Sequence, residues 1–204
     1  FCHTYRGTAF SLRSVEEIKE EITRIRGIAD QIREWSWREG DGGRITDRLV
    51  NRIFDREDGG DEGWRSVAAW LYFGAGSVFL QDANSLIMKT DDLVEVLTFI
   101  RAQFPSVRRI TTYARSHTAA RRSVEDFRKL REAGLTRVHI GMESGYDPLL
   151  AFIRKGATAA DHVTGGQLIV AAGLSLSEYV IPGLGGCRWS REHADATADA
   201  INRI

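Results

Sequence analysis

Cysteine is nearly absent: Cys2 and Cys187 are the only two in 204 residues. That is too few for a disulfide framework, and it fits a reducing compartment. No apolar run approaches the ~18 residues needed to cross a bilayer, and the first residues lack the basic, apolar and small-residue order of a signal peptide. A cytoplasmic protein with no membrane partner is the expectation. An excess of charge is lacking as well: Lys plus Arg and Asp plus Glu number 28 each. No global field therefore draws nucleic acid or an anionic surface, and no nucleic-acid surface is evident in the segment. Prolines number three against twenty glycines, so glycine makes the turns. A serine elbow, an H-E-x-x-H pair and a P-loop are all missing, which removes the commoner hydrolase and NTPase chemistries.

With 43% hydrophobic and 27% charged residues, the chain has the composition of a soluble globular domain. Val15, Ile18, Ile22, Ile25, Ile28, Ile32 and Trp35 recur at helical spacing behind a Ser14 to Glu17 capping box, predicting a long amphipathic helix. Two glycine-acid clusters between residues 39 and 65 flank a short helical pattern at 45–54, read as an inserted surface excursion. A short apolar helix near 67–73 follows. From there a rhythm sets in. Strands are predicted at 77–82, 107–113, 136–141 and 174–183, separated by helices at 90–104, 123–133, 147–154 and 158–172, with a last helix from Ser190.

"REAGLTRVHIG" and "VAAGLSLSEYV" repeat one pattern, a helix, then Gly134 or Gly173, then Leu, then a strand, 39 residues apart. Glycine suits the left-handed position after a helix. Alternation on this scale predicts an α/β fold with a parallel sheet, either doubly wound or part of a (β/α) barrel. In both, function collects at the C-terminal strand ends.

Those ends read "QDANS", "YARSH", "GMESG" and "PGLGG". Asp82, Asn84 and Ser85 offer carboxylate, amide and hydroxyl to an ammonium or a sugar, or else form an Asx turn. Glu143 lies between Gly141 and Gly145, where a carboxylate suits a ribose diol or an amine; the alternative is a surface loop. Arg154 and Lys155 close a short helix, where cations balance the dipole or meet a ligand carboxylate. "VIPGLGG" is a glycine-rich loop without the GxGxxG spacing. His117, His139, His162 and His193 form no metal spacing. His139 is expected as a core or pocket-wall residue, and His193 in the first turn of a helix capped by Ser190.

Taken together, "FCHTYRG", "VFLQDANSLIM", "HIGMESGYDPLLAFIRKGAT" and "EYVIPGLGG" resemble the radical S-adenosylmethionine (SAM) superfamily. The similar branch contains the anaerobic coproporphyrinogen oxidases, elongator catalytic subunits and tRNA methylthiotransferases. The resemblance implies a partial (β/α)6-type radical SAM barrel of parallel strands and outer helices over residues 1–204, with its first strand and C-terminal part missing. Phe1-Cys2 resembles the end of the CxxxCxΦC motif, whose other two cysteines would precede Phe1. Cys2 would then ligate a [4Fe-4S] cluster that leaves one iron open to SAM.

By the same resemblance, Asp82, Ala83 and Asn84 stand where relatives carry the GGE sequence that holds the SAM ammonium. Glu143 would meet ribose or the methionine portion, Lys155 (or Arg154) the carboxylate, and the backbone around Ile181 and the ring of Phe1 adenine. Departures are visible: DAN replaces GGE, and "YVIPGLGG" lacks the first Gly and final Glu of GxIxGxxE. Implied partners are a flavodoxin- or ferredoxin-type reductant and an unspecified substrate, which Tyr5, Arg6, His117 and Cys187 would face. Two other readings remain open, a cluster-free (β/α) barrel lyase or aldolase using Glu143 and Lys155, and a non-catalytic SAM or nucleotide-binding module.

Overall fold

The computed structural model describes residues 11–55, 62–81 and 84–204. Its first element is α1 (Val15–Arg38). The predicted capping box is present: Glu17 N–H donates to Ser14 Oγ at 3.2 Å, and Ser14 N–H donates to the Glu17 carboxylate at 2.7 Å. Two of the orphan donors of the first turn are thereby satisfied.

The apolar stripe of α1 serves two clusters in succession. Its first half (Val15, Ile18, Ile22, Ile25) packs on the main core. Its second half (Ala29, Ile32) joins Leu49 and Ile53 of α2 (Asp47–Phe54) with Val67, Ala68 and Leu71 of α3 (Glu62–Tyr72). A helix of 24 residues is ~36 Å long, enough to bridge both clusters.

Strand and helix then alternate: β1 (Ser77–Leu80), α4 (Thr90–Gln103), β2 (Arg109–Ala114), α5 (Ser116–Ala119), α6 (Val124–Ala133), β3 (Arg137–Glu143), α7 (Asp147–Phe152), α8 (Ala159–Ala171), β4 (Ser175–Val180) and α9 (Ser190–Asn202). The 3₁₀ turn Ser85–Ile87 and α5 are additions to the sequence reading, being too short for a periodic signal. The capping of α9 differs from expectation. Ser190 is its first residue, the N-cap is Trp189, and no side chain caps it.

All strand pairs are parallel and the order is β1-β2-β3-β4. The fold is therefore α/β, as expected. Right-handed connections between successive neighbours put every crossover helix on one side. On that face Ile110, Ala114, Val138 and Ile140 meet Leu93, Leu97, Phe127, Leu130 and Ile169 of the helices in a continuous core. The order never reverses among the described strands, so it shows no doubly wound switch point.

Both helix-Gly-Leu-strand repeats close alike. Gly134 and Gly173 have φ of 120° and 80°. The amides of Leu135 and Leu174 reach back to Leu130 and Ile169 carbonyls at 2.9 and 3.2 Å. The two leucines, each at most 5% exposed, then enter the core. This is the Schellman arrangement, with glycine where φ must be positive. It aims each following strand into the sheet, and so fixes which residues arrive at its C-terminal edge.

Candidate functional site

At the C-terminal edge the loops are fastened in pairs. Asn84 ties the β1 loop to the β2 loop: its Nδ2 donates to Thr118 Oγ1 at 2.9 Å and its Oδ1 accepts from the Arg115 amide at 3.1 Å. His193 of α9 ties the β3 loop to the β4 loop. Its Nε2–H donates to the Ile181 carbonyl at 3.1 Å, which leaves Nδ1 to accept from Ser144 Oγ at 2.8 Å. Gly145 donates to Thr197 Oγ1 at 2.9 Å, pinning the same loop to the next turn of α9.

Glu143 and Lys155 meet over the end of β3. A β-bulge between Gly141 and Glu143 shifts the register against β4, and Glu143 takes φ 65°, a left-handed conformation uncommon outside glycine. Met142, on the same face of β3 as Val138 and Ile140, is fully buried on the helix side, against Val163 and Ala200. The Glu143 carboxylate accepts from Lys155 Nζ at 2.6 Å. Both side chains are partly exposed, at 30% and 21%.

Gly141 makes room for the pair. A Cβ there would stand 3.2 Å from Lys155 Nζ and 3.5 Å from Glu143 Oε1. A bare backbone, a carboxylate and an ammonium thus share one spot at a strand end.

On the helix-covered side lies a buried polar group that sequence spacing did not expose. His162 of α8 is fully buried; its Nε2 is 3.3 Å from Ser116 Oγ, and its Nδ1 is 3.9 Å from a Glu178 oxygen. Glu178, on β4, has both carboxylate oxygens buried and without a hydrogen-bond partner. Burial pushes its carboxyl up to about 8, against the pull of Lys155. The same burial, aided by the Lys155 charge, lowers the His162 imidazole to about 4. At neutral pH both groups are therefore uncharged. The only sequence signal was a single charged residue, Glu178, in an otherwise uncharged strand.

Beside the Asn84 fastening is a cleft of about 430 Å³, lined by Arg115, His117, Arg121, Arg122, Thr118 and Gly156 among others. None of its described lining residues is acidic. His117 is held near Asp161, at 3.7 Å.

Of the residues singled out by sequence, Glu143 and Lys155 are brought together. Arg154 is exposed with φ 54° and, among the described residues, makes no ion pair. Ile181 exposes its side chain (46%) but has its backbone engaged, the N–H to the Glu143 carbonyl at 3.2 Å and the C=O to His193. Both amide ends of Asn84 are taken. Cys187 is exposed and in no disulfide. Phe1, Cys2, Tyr5, Arg6, Asp82 and Ala83 lie outside the described residues. Among the described residues no three His, Cys, Asp or Glu side chains converge as a metal site, and no helix is long and apolar enough to cross a membrane.

No protein-family profile matches the chain. A curated relative, the tRNA uridine(34) acetyltransferase of Methanocaldococcus jannaschii, is 31% identical over 62 residues. The match covers 30% of this chain and 12% of that protein's length.

Proposed function

We propose that the chain is the core of a radical SAM enzyme. In this reading a partial (β/α)6-type barrel holds SAM across its C-terminal strand ends, beside a [4Fe-4S] cluster ligated through Cys2. The observation that carries it is the Glu143–Lys155 pair over the bare backbone of Gly141. An amino acid carries an α-ammonium and an α-carboxylate side by side, and the pair offers the complementary charges in one place. The sequential parallel strands, with helices on one face, are the arrangement such a barrel is built from.

Within the site, Glu143 accepts from the ammonium or a ribose hydroxyl and Lys155 donates to the carboxylate. Each exchanges part of an internal ion pair for the ligand. Asn84, with both amide ends engaged, fastens the β1 loop to the β2 loop rather than meeting the ligand. Ile181 covers adenine with its exposed side chain, since its backbone groups are already paired. When bound, the cluster supplies the electron that cleaves SAM to methionine and a 5′-deoxyadenosyl radical. A flavodoxin- or ferredoxin-type protein is the reductant. The archaeal match, to a protein named for a tRNA modification, makes a nucleoside in RNA the first substrate class to test.

The lyase reading is weaker on geometry. A Schiff-base lysine needs a desolvated, unpaired amine, and the Lys155 ammonium is committed to a carboxylate 2.6 Å away.

The test is anaerobic reconstitution of the full-length protein with iron and sulfide, followed by SAM and dithionite. The expected product is 5′-deoxyadenosine, lost in Cys2→Ala. A cluster-loaded sample that binds SAM but forms none would leave a binding module. Borohydride trapping of Lys155 with a carbonyl substrate would instead favour the lyase.

A further inference from the structure

Glu143 takes φ 65° although it carries a side chain. A residue other than glycine keeps that conformation only where its surroundings hold it from several sides. Here the surroundings form a closed ring of bonds. The Glu143 carbonyl accepts from the Ile181 amide at 3.2 Å. The Ile181 carbonyl accepts from His193 Nε2–H at 3.1 Å, and His193 Nδ1 accepts from Ser144 Oγ–H at 2.8 Å. Ser144 is joined to Glu143 by the peptide bond, which completes the circuit. The end of β3, the residue after β4 and the first turn of α9 each supply a part.

The hydrogens of this circuit have one arrangement. A carbonyl only accepts, so Nε2 carries the imidazole proton and Nδ1 is the acceptor. Ser144 Oγ already accepts from the Tyr146 amide at 3.0 Å, which leaves its own hydrogen for Nδ1. Ser144 is fully buried and His193 is 4% exposed, so water does not compete for these bonds. Thr197 Oγ1, one turn further along α9, accepts from the Gly145 amide at 2.9 Å and stands 3.3 Å from Nδ1. The imidazole bonds to Ser144, Thr197 and Ile181, and to neither the Glu143 carboxylate nor Lys155. It acts on the backbone that carries them.

We infer that His193 is a positioning residue: it holds Glu143 in the left-handed conformation and so keeps the Glu143 carboxylate on Lys155, ready for a ligand that carries an ammonium beside a carboxylate. A change of φ at Glu143 swings its side chain relative to β3 and takes the carboxylate away from Lys155 Nζ, now 2.6 Å off. Anchoring the loop to α9 would not by itself require the circuit, because Gly145 and Thr197 already do that. What the imidazole adds is a bond path that returns to the one left-handed residue of the site pair. A preformed pair spares the ligand the cost of ordering it. The inference deepens the ligand role given to Glu143 above and, for the identity of that ligand, rests on that reading.

The experiment compares His193→Ala and Ser144→Ala, which break the circuit at two different links, with His193→Gln, whose amide restores one donor and one acceptor. The first readout is taken on the full-length protein without SAM, as the carbon chemical shifts of Glu143 and the exchange rate of the Ile181 amide. Both alanine variants should move the Glu143 shifts away from left-handed values and speed Ile181 exchange about tenfold or more, while His193→Gln stays near the parent. Unmoved shifts with a protected Ile181 amide in the alanine variants would overturn the inference. The second readout is calorimetric titration of the reconstituted protein with SAM. His193→Ala should weaken binding about tenfold when Glu143 is present and by less than about twofold in a Glu143→Gln background. Equal losses in the two backgrounds would reduce His193 to a general brace and overturn its positioning role. A parent protein that binds no SAM would count against the SAM reading, and the first readout would still decide the circuit. Circular dichroism and urea midpoints identify any variant that fails to fold, and the remaining alanine variant then carries the test.

Discussion

Lys155 Nζ stands 2.6 Å from Glu143 Oε1, and both groups sit within contact distance of the Cβ that Gly141 lacks. The two residues are twelve apart in sequence, and α7 lies between them. That short helix turns the chain back so that Lys155, three residues past its end, reaches the strand end the chain has just left.

Filling that space is the most selective way to perturb the site. Gly141→Ala places a methyl 3.2 Å from Lys155 Nζ, the tip of a flexible side chain that can move. Stability should change by less than about 1 kcal/mol, whereas SAM affinity should drop about tenfold. Calorimetric titration beside urea denaturation checks both, and unchanged affinity would remove the pair from the binding site.

Removing one charge separates ligand recognition from backbone strain. Glu143→Gln and Glu143→Gly both abolish the ion pair and should weaken SAM binding by roughly tenfold or more, the scale of a charged hydrogen bond. The glycine variant should nonetheless be more stable than the glutamine variant by ~1 kcal/mol, because φ 65° costs a side-chain-bearing residue that much. Equal urea midpoints would show that the left-handed residue carries no strain.

The buried pair on the other side of the sheet predicts a pH dependence of stability. Glu178 titrates at about 8 in the folded protein against 4.5 ordinarily, so the folded state holds more protons between those values and stability falls as pH rises. His162 titrates at about 4 against 6.5, so stability rises with pH across that lower window. The slopes oppose each other up to pH 6.5. Above it only that of Glu178 remains, a loss of up to ~1.4 kcal/mol per pH unit toward pH 8. Glu178→Gln should flatten this decline, as read from urea midpoints at several pH values.

Gly145 tests the loop anchorage. A Cβ there would lie 2.4 Å from the Ala196 carbonyl oxygen and 2.7 Å from Thr197 Cα, backbone atoms of α9 that cannot step aside. Gly145→Ala should cost ~1–3 kcal/mol and release the His193 fastening. Denaturation midpoints measure the first. The second appears as faster hydrogen exchange at Tyr146, whose amide donates to Ser144 Oγ.

The sequence by itself determined the longer helices and the four strands in their succession along the chain. Those depend on spacing and caps within a few residues: the Ser14–Glu17 box, the apolar stripe of α1, and the glycines that end α6 and precede β3 and β4. It also marked Glu143 and Lys155, through glycines and charges at strand and helix ends. Only the tertiary structure decided their pairing, the bulge between Gly141 and Glu143, the closeness of Ser116, His162 and Glu178, and the row of rings Phe79, Tyr113, His139 and Tyr179. Each joins residues from different elements. Such contacts are set by strand register and by the angle at which a helix returns to the sheet, and local periodicity encodes neither.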